Sequence, residues 1–172
     1  MANIVLRLST GGSSSTNANP NNSLGGEMAT NPEAVITTSS SSLNNLFDNI
    51  TKAENFSGVT DYRCVFIHND TANAGELFAE GEIYISGTPY VDVQIGVGTK
   101  NSSAAIIPNE NTAPAGIAFS KPTSAVPLKL MAANNTLNPG DRIAIWIKRT
   151  AANITGSGTV TDTIPLVVRG IE

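Results

Sequence analysis

Three observations predict an all-β fold, closed as an antiparallel β-sandwich. Asn, Ser, Thr and Gly make up 68 of the 172 residues, a composition that favours turns and caps over long helices. Several short runs alternate apolar and polar side chains, the period of a half-buried strand. The connections between those runs hold no extended helical pattern, which argues against βαβ units and a parallel sheet.

The elements follow in chain order. Asn3–Leu8 alternates, with Ile4, Leu6 and Leu8 on one face. Ser9–Ser23 contains no large apolar residue, and Thr37–Ser42 is a run of hydroxyls. Residues 1–42 therefore read as an extended N-terminal arm, and 43–172 as the sandwich domain. Alone in solution so polar a segment is a flexible linker. Ordered, it either reaches over a neighbouring subunit or lies on its own domain.

Leu43, Leu46, Phe47 and Ile50 fall at helical spacing, and Ser42 is placed to cap them. One short helix is expected near 43–49. From Thr60 the period becomes two. Thr60–His68 is apolar on both faces and reads as a central strand. Glu80–Ser86 and Tyr90–Val97 follow, joined by the turn Gly87-Thr88-Pro89. In the second of these Val91, Val93, Ile95 and Val97 face inward.

Ala104–Ile107 and Gly116–Phe119 are weaker strands around a Pro/Asn-rich loop, and Pro127–Met131 is a short one. Asn138-Pro139-Gly140-Asp141 is a turn, proline setting the first φ and glycine supplying the positive one. Arg142–Arg149 follows, with Ile143, Ile145 and Ile147 inward. Thr159–Val168 is the last strand, its Pro165 marking an edge or bulge. A sandwich of jelly-roll or immunoglobulin-like kind is the natural closure.

Composition bounds the function. The length fits one domain. Ten Lys+Arg against fourteen Asp+Glu give a net charge of −4, which excludes binding to nucleic acid by phosphate neutralisation. No apolar run approaches the roughly 18 residues of a membrane span. The N-terminal stretch has one early charge, Arg7, and no long apolar segment, so no signal peptide is expected. Cys64 is the only cysteine and His68 the only histidine. An intrachain disulfide, a cysteine zinc site and an iron–sulfur cluster are excluded, and no cofactor or metal is expected.

Each candidate for chemistry has a plainer reading. His68 stands beside Asn69-Asp70, where a turn histidine is the simpler role than a general base. Cys64 alternates with Tyr62 and Phe66 and reads as a small buried hydrophobe. Glu76, Glu80 and Glu82, with Asp61 and Asp92, could supply a carboxylate pair for glycoside hydrolysis, but only 5% of residues are aromatic and sugar clefts need stacking platforms. Asp70 and Asp61 could hold calcium, although no EF-hand spacing is present. Seven Asn-x-Ser/Thr triplets follow from composition rather than glycosylation. Trp146 lies opposite Ile143, Ile145 and Ile147, so either the chain covers it or it anchors an interface.

Three stretches carry a resemblance: Asn19–Gly26; Leu46–Thr51 leading through Glu54 and Gly58 to Asp61–Asn69; and Leu137–Arg149. Together they resemble small virion structural proteins of tailed bacteriophages. The resemblance implies a non-enzymatic protein, a head decoration (cement) protein bridging major capsid protein subunits and neighbouring copies of itself. It would be a homo-oligomer on the capsid surface of the virion, made in the host bacterial cytoplasm, without direct contact to nucleic acid or membrane. Leu24, Phe47, Tyr62, Arg63, Trp146 and Arg149 are the expected contact residues. A tail, baseplate or neck location is the alternative. A carbohydrate-binding sandwich module, with Tyr84, Tyr90 and Trp146 as its aromatic shelf, is the rival of another class.

Overall fold

The computed structural model describes residues 2–12, 14–36, 44–70, 76–133, 135–151 and 162–171. It is all-β, with two antiparallel sheets and one short helix. Sheet 1 has the order β1 (Ile4–Leu8), β2 (Thr60–Asn69), β7 (Arg142–Thr150), β4 (Asp92–Lys100). Sheet 2 centres on β3 (Phe78–Ile85). Along one edge of β3 lie β5 (Leu128–Lys129) and β6 (Thr136–Leu137), and along the other β8 (Leu166–Ile171).

The strands read from alternation form where alternation puts them. Val65 and Ile67 of β2, Ile143, Ile145 and Ile147 of β7, and Val93 and Ile95 of β4 meet Phe78, Ile83 and Ile85 of β3 between the sheets. The turn at Asn138–Asp141 has Gly140 at φ 87, and the Asp141 amide donates to the Asn138 carbonyl at 2.9 Å.

Other expectations are corrected. The helix falls at Lys52–Ser57 (α1), not at 43–49. Residues 44–47 run through a turn and bends and 48–49 are irregular; Ser42 and Leu43 lie outside the described residues. Asn44, Asn45, Asp48 and Asn49 compete with helical backbone bonds, and Asn44 adopts φ 59. At α1 the Thr51 side chain accepts from the Glu54 amide while the Glu54 carboxylate accepts from the Thr51 amide, and Gly58 ends the helix at φ 68. Those bonds from Thr51, backbone amide first, hold Glu54 below the ordinary carboxylate range. Thr51→Ala is expected to cost about 1 kcal/mol, read as a lowered urea midpoint.

The expected strand at 104–107 reduces to a single bridge, Gly26 to Ala104, and no strand forms at 116–119, the bridge to Ile95 falling one residue beyond it at Ser120. The last strand begins at Leu166, directly after Pro165, which has no amide to donate. Of its expected first half, residues 159–161 lie outside the described residues.

Of the two courses open to the N-terminal segment, the chain takes the one over its own domain. β1 is a strand of sheet 1, and residues 9–12 and 14–36 fold back as a strap over that sheet's outer face. The strap is secured by satisfied polar groups. The Ser9 amide donates to Ser23 Oγ at 2.8 Å, Ser23 Oγ to the Cys64 carbonyl, Gly25 N to Ser9 Oγ at 3.0 Å, and Asn17 Nδ2 to the Ser9 carbonyl. Ser9, Asn17 and Ser23 are all buried, which is tolerable because each is hydrogen-bonded.

Strap residues also close the free edge of β1. Ala29 N donates to Leu8 O at 2.9 Å and Ile36 N to Leu6 O at 2.8 Å. On the opposite side of sheet 1, Ile95 of β4 exchanges two backbone bonds with Ser120.

Candidate functional site

Alternation along β2 sends Asp61, Arg63, Val65 and Ile67 inward and Tyr62, Cys64, Phe66 and His68 outward. The pairing of Asp61 with Arg149 and of Cys64 with Trp146 fixes β7 against it. Two clusters result, and they contain all six residues expected as contacts.

The first closes one end of the sandwich core. Arg149 donates to Asp61 Oδ2 from Nε at 3.2 Å and from Nη2 at 2.6 Å, and to the Asp48 carbonyl at 2.7 Å. Arg63 bonds the Glu110 carboxylate, and its Nε donates to the Leu46 carbonyl at 3.2 Å. Both guanidinium groups lie over the Phe47 ring, at 5.5 Å for Arg63 and 4.5 Å for Arg149. Arg63 is 1% exposed, Arg149 7% and Phe47 8%. These three were expected to touch a partner; they are instead covered by their own chain. Two arginines at inward positions near the ends of apolar strands need carboxylates and carbonyls beside them; Asp61 and Glu110 supply the carboxylates, and residues 46–48 the carbonyls of Leu46 and Asp48.

The second cluster covers the outer face of sheet 1. Trp146, at 0% exposure, packs with Cys64, Phe66, Ala144 and Ile107. Leu24, Met28, Tyr62, Ala104, Ile117 and Phe119 form its partly buried rim. The Tyr62 and Phe119 rings meet at 5.5 Å. Leu24 is tied in by its carbonyl, which accepts from Ile107 N at 3.0 Å. The strap and the loop 104–119 therefore form a third layer over the sheet, and Trp146 is withdrawn from any outer surface. Leu24 and Tyr62 alone among the six keep partial exposure.

That layer approaches closely at Gly25, where φ is +95 and an added Cβ would stand 2.0 Å from the Ala105 carbonyl oxygen. Gly25→Ala is accordingly expected to destabilise by more than about 1 kcal/mol, because both backbone conformation and space oppose it. Thermal unfolding followed by circular dichroism checks this.

The candidates for chemistry are dispersed. Glu82 pairs with Lys129 and Arg169, and Asp92 with Lys121. Glu82 is held below the ordinary carboxylate range first by the hydrogen bond from Lys129, and Asp92 first by that from Lys121. A glycosidic general acid needs the opposite displacement. Burial pushes the Cys64 thiol up, away from a nucleophilic thiolate.

Tyr84 lies under Arg169 on the outer face of sheet 2, Tyr90 is 51% exposed, and Trp146 is sealed in sheet 1. The three do not form a shelf. Among the described residues, no group of three His, Cys, Asp or Glu side chains is placed to hold a metal ion, and no helix is long and apolar enough to cross a membrane. A solvent-open groove of about 400 Å³ is lined by Thr10, Ser14, Ser15, Glu27, Ser103 and Ile106, among others.

No protein-family model, curated protein or solved structure matches this chain.

Proposed function

We propose that this chain is a non-enzymatic structural protein of a bacteriophage virion, a decoration protein that cements the head by contacting the major capsid protein and adjacent copies of itself. The observation that supports the reading best is the closure of sheet 1. Both of its edges are bonded to the chain's own loops, through Ala29 and Ile36 on β1 and through Ser120 on β4. A β module arrayed in many copies at high local concentration needs such protection against edge-to-edge pairing. The phage resemblance of residues 19–26, 46–69 and 137–149 points the same way.

The contacts are then made by loops and by helix α1 rather than by an arm. Phe56 at 75% exposure, Val126 at 74% and Ile106 at 59% are large apolar side chains left outside while the interior satisfies its own charges. Many small contacts of this kind, repeated over a shell, add through multiplicity.

Antibody–gold labelling of intact particles tests the reading. Label spread over the head is the expected result. Label confined to the tail, baseplate or neck moves the protein there, and particles without label overturn the virion assignment.

A further inference from the structure

Arg7 of β1, His68 of β2 and Arg142 of β7 share the strap side of sheet 1. His68 pairs directly with Arg142, while Arg7 pairs with Phe66, one step along the same face. Each arginine holds the strap. Arg7 Nη1 donates to the Asn31 carbonyl at 3.3 Å, and Arg142 Nη2 to the Glu27 carboxylate at 2.8 Å. Asp70, just past β2, faces Arg7 at 3.9 Å. His68 lies between these anchors at 8% exposure. Its Nδ1, like Arg7 Nε and Arg142 Nε, is buried and has no hydrogen-bond partner among the described residues.

We propose that His68 is a proton-operated latch on strap residues 27–36, which the neutral imidazole keeps closed and the imidazolium releases. With His68 neutral, Arg7 and Arg142 are balanced by Asp70 and Glu27. A proton on His68 places a third cation between two guanidinium groups, and the imidazolium then carries a buried Nδ1–H with no acceptor among the described residues, a costly arrangement. Outward movement of the two arginines relieves it, and Asn31 and Glu27 move with them.

The titration runs in the matching direction. Burial first, then Arg7, with a smaller part from Arg142, holds His68 below the ordinary histidine range, and Asp70 opposes them. A depressed histidine leaves the closed form fully stable above 6.5, its unperturbed value. That stability is lost as pH falls below 6.5 towards the closed-form value. If the open form titrates at 6.5, the ratio of open to closed rises by at most about tenfold between about pH 7.5 and 5.5. The depressed carboxylates start from 4.5 or 3.8 and titrate below this window.

Amide hydrogen exchange on the full chain, corrected for the intrinsic pH dependence of exchange, tests the latch. The Ala29 and Ile36 amides, which bond β1, are expected to lose protection several-fold between about pH 7.5 and 5.5, while Ile145 in β7 keeps its own. His68→Gln is expected to flatten the response. An unchanged wild-type profile, an equal loss in His68→Gln, or a parallel loss at Ile145 overturns the proposal. Should His68→Gln not fold, Arg7→Gln removes one flanking cation and must shrink the response; an undiminished one overturns it equally.

Discussion

Trp146→Ala is expected to lower the stability of the fold by about 3–5 kcal/mol, the range for truncating a fully buried aromatic side chain. Domains of this size hold only about 5–15 kcal/mol in total, so the variant should unfold at a much lower urea concentration, or be partly unfolded in buffer. The cost arises because Trp146 is the centre of the layer between sheet 1 and its covering loops. Without it, Leu24, Ile107, Ile117 and Phe119 face a void that backbone bonds such as Ile107 N to Leu24 O keep from collapsing. Trp146→Phe separates packing from polarity. The indole Nε1 has no hydrogen-bond partner among the described residues, so phenylalanine also removes a buried donor and should cost clearly less than alanine. Denaturation followed by far-ultraviolet circular dichroism, which does not depend on the lost fluorophore, checks both.

Arg149→Met is expected to cost a similar amount, about 3–5 kcal/mol, by leaving Asp61 charged and buried without its cation. Asp61 is 5% exposed and, among the described residues, would retain only Asn111 Nδ2, at 3.0 Å, as a side-chain donor. The double variant Asp61→Leu/Arg149→Met removes both charges and should recover most of the loss, since a buried pair replaced by apolar side chains of similar volume is often neutral. Urea midpoints of the two single variants and the double variant make the cycle. Failure of the double variant to recover would assign the cost to the contacts of Arg149 with Asp48 and Phe47 instead.

The strands were legible because burial on one face leaves a period of two. β2 and β7 follow that period closely, and the Pro139-Gly140 turn announces itself by chemistry. The strap was not legible, since its buried side chains are serines, a threonine, an asparagine and two alanines, too small or too polar to leave a periodicity. Helical spacing at Leu43, Leu46, Phe47 and Ile50 also misled, because two of those side chains are spaced by their packing partners. Leu46 meets the small cluster of Leu8, Ala29 and Ala34, and Phe47 meets the core and two arginines.

The six residues expected as contacts instead build two clusters within the chain. Five of them gather around β2 and β7, and the sixth, Leu24, reaches the same place through the strap. The parity that puts Arg63 with Val65 and Arg149 with Ile147 was present in the sequence. What it lacked was the register joining Asp61 to Arg149, which depends on strands far apart in the chain.

That separation has a consequence during synthesis. β2 ends at Asn69 and its central partner β7 ends at Thr150. At about 5–20 residues per second, a ribosome takes roughly 4–16 s to make the intervening chain. Throughout that interval β2 is a finished apolar strand whose central neighbour does not yet exist. β1, already made, is the one sheet-1 neighbour that can shield it, so the N-terminal strand acts as a temporary escort for the nascent chain before it becomes a permanent edge.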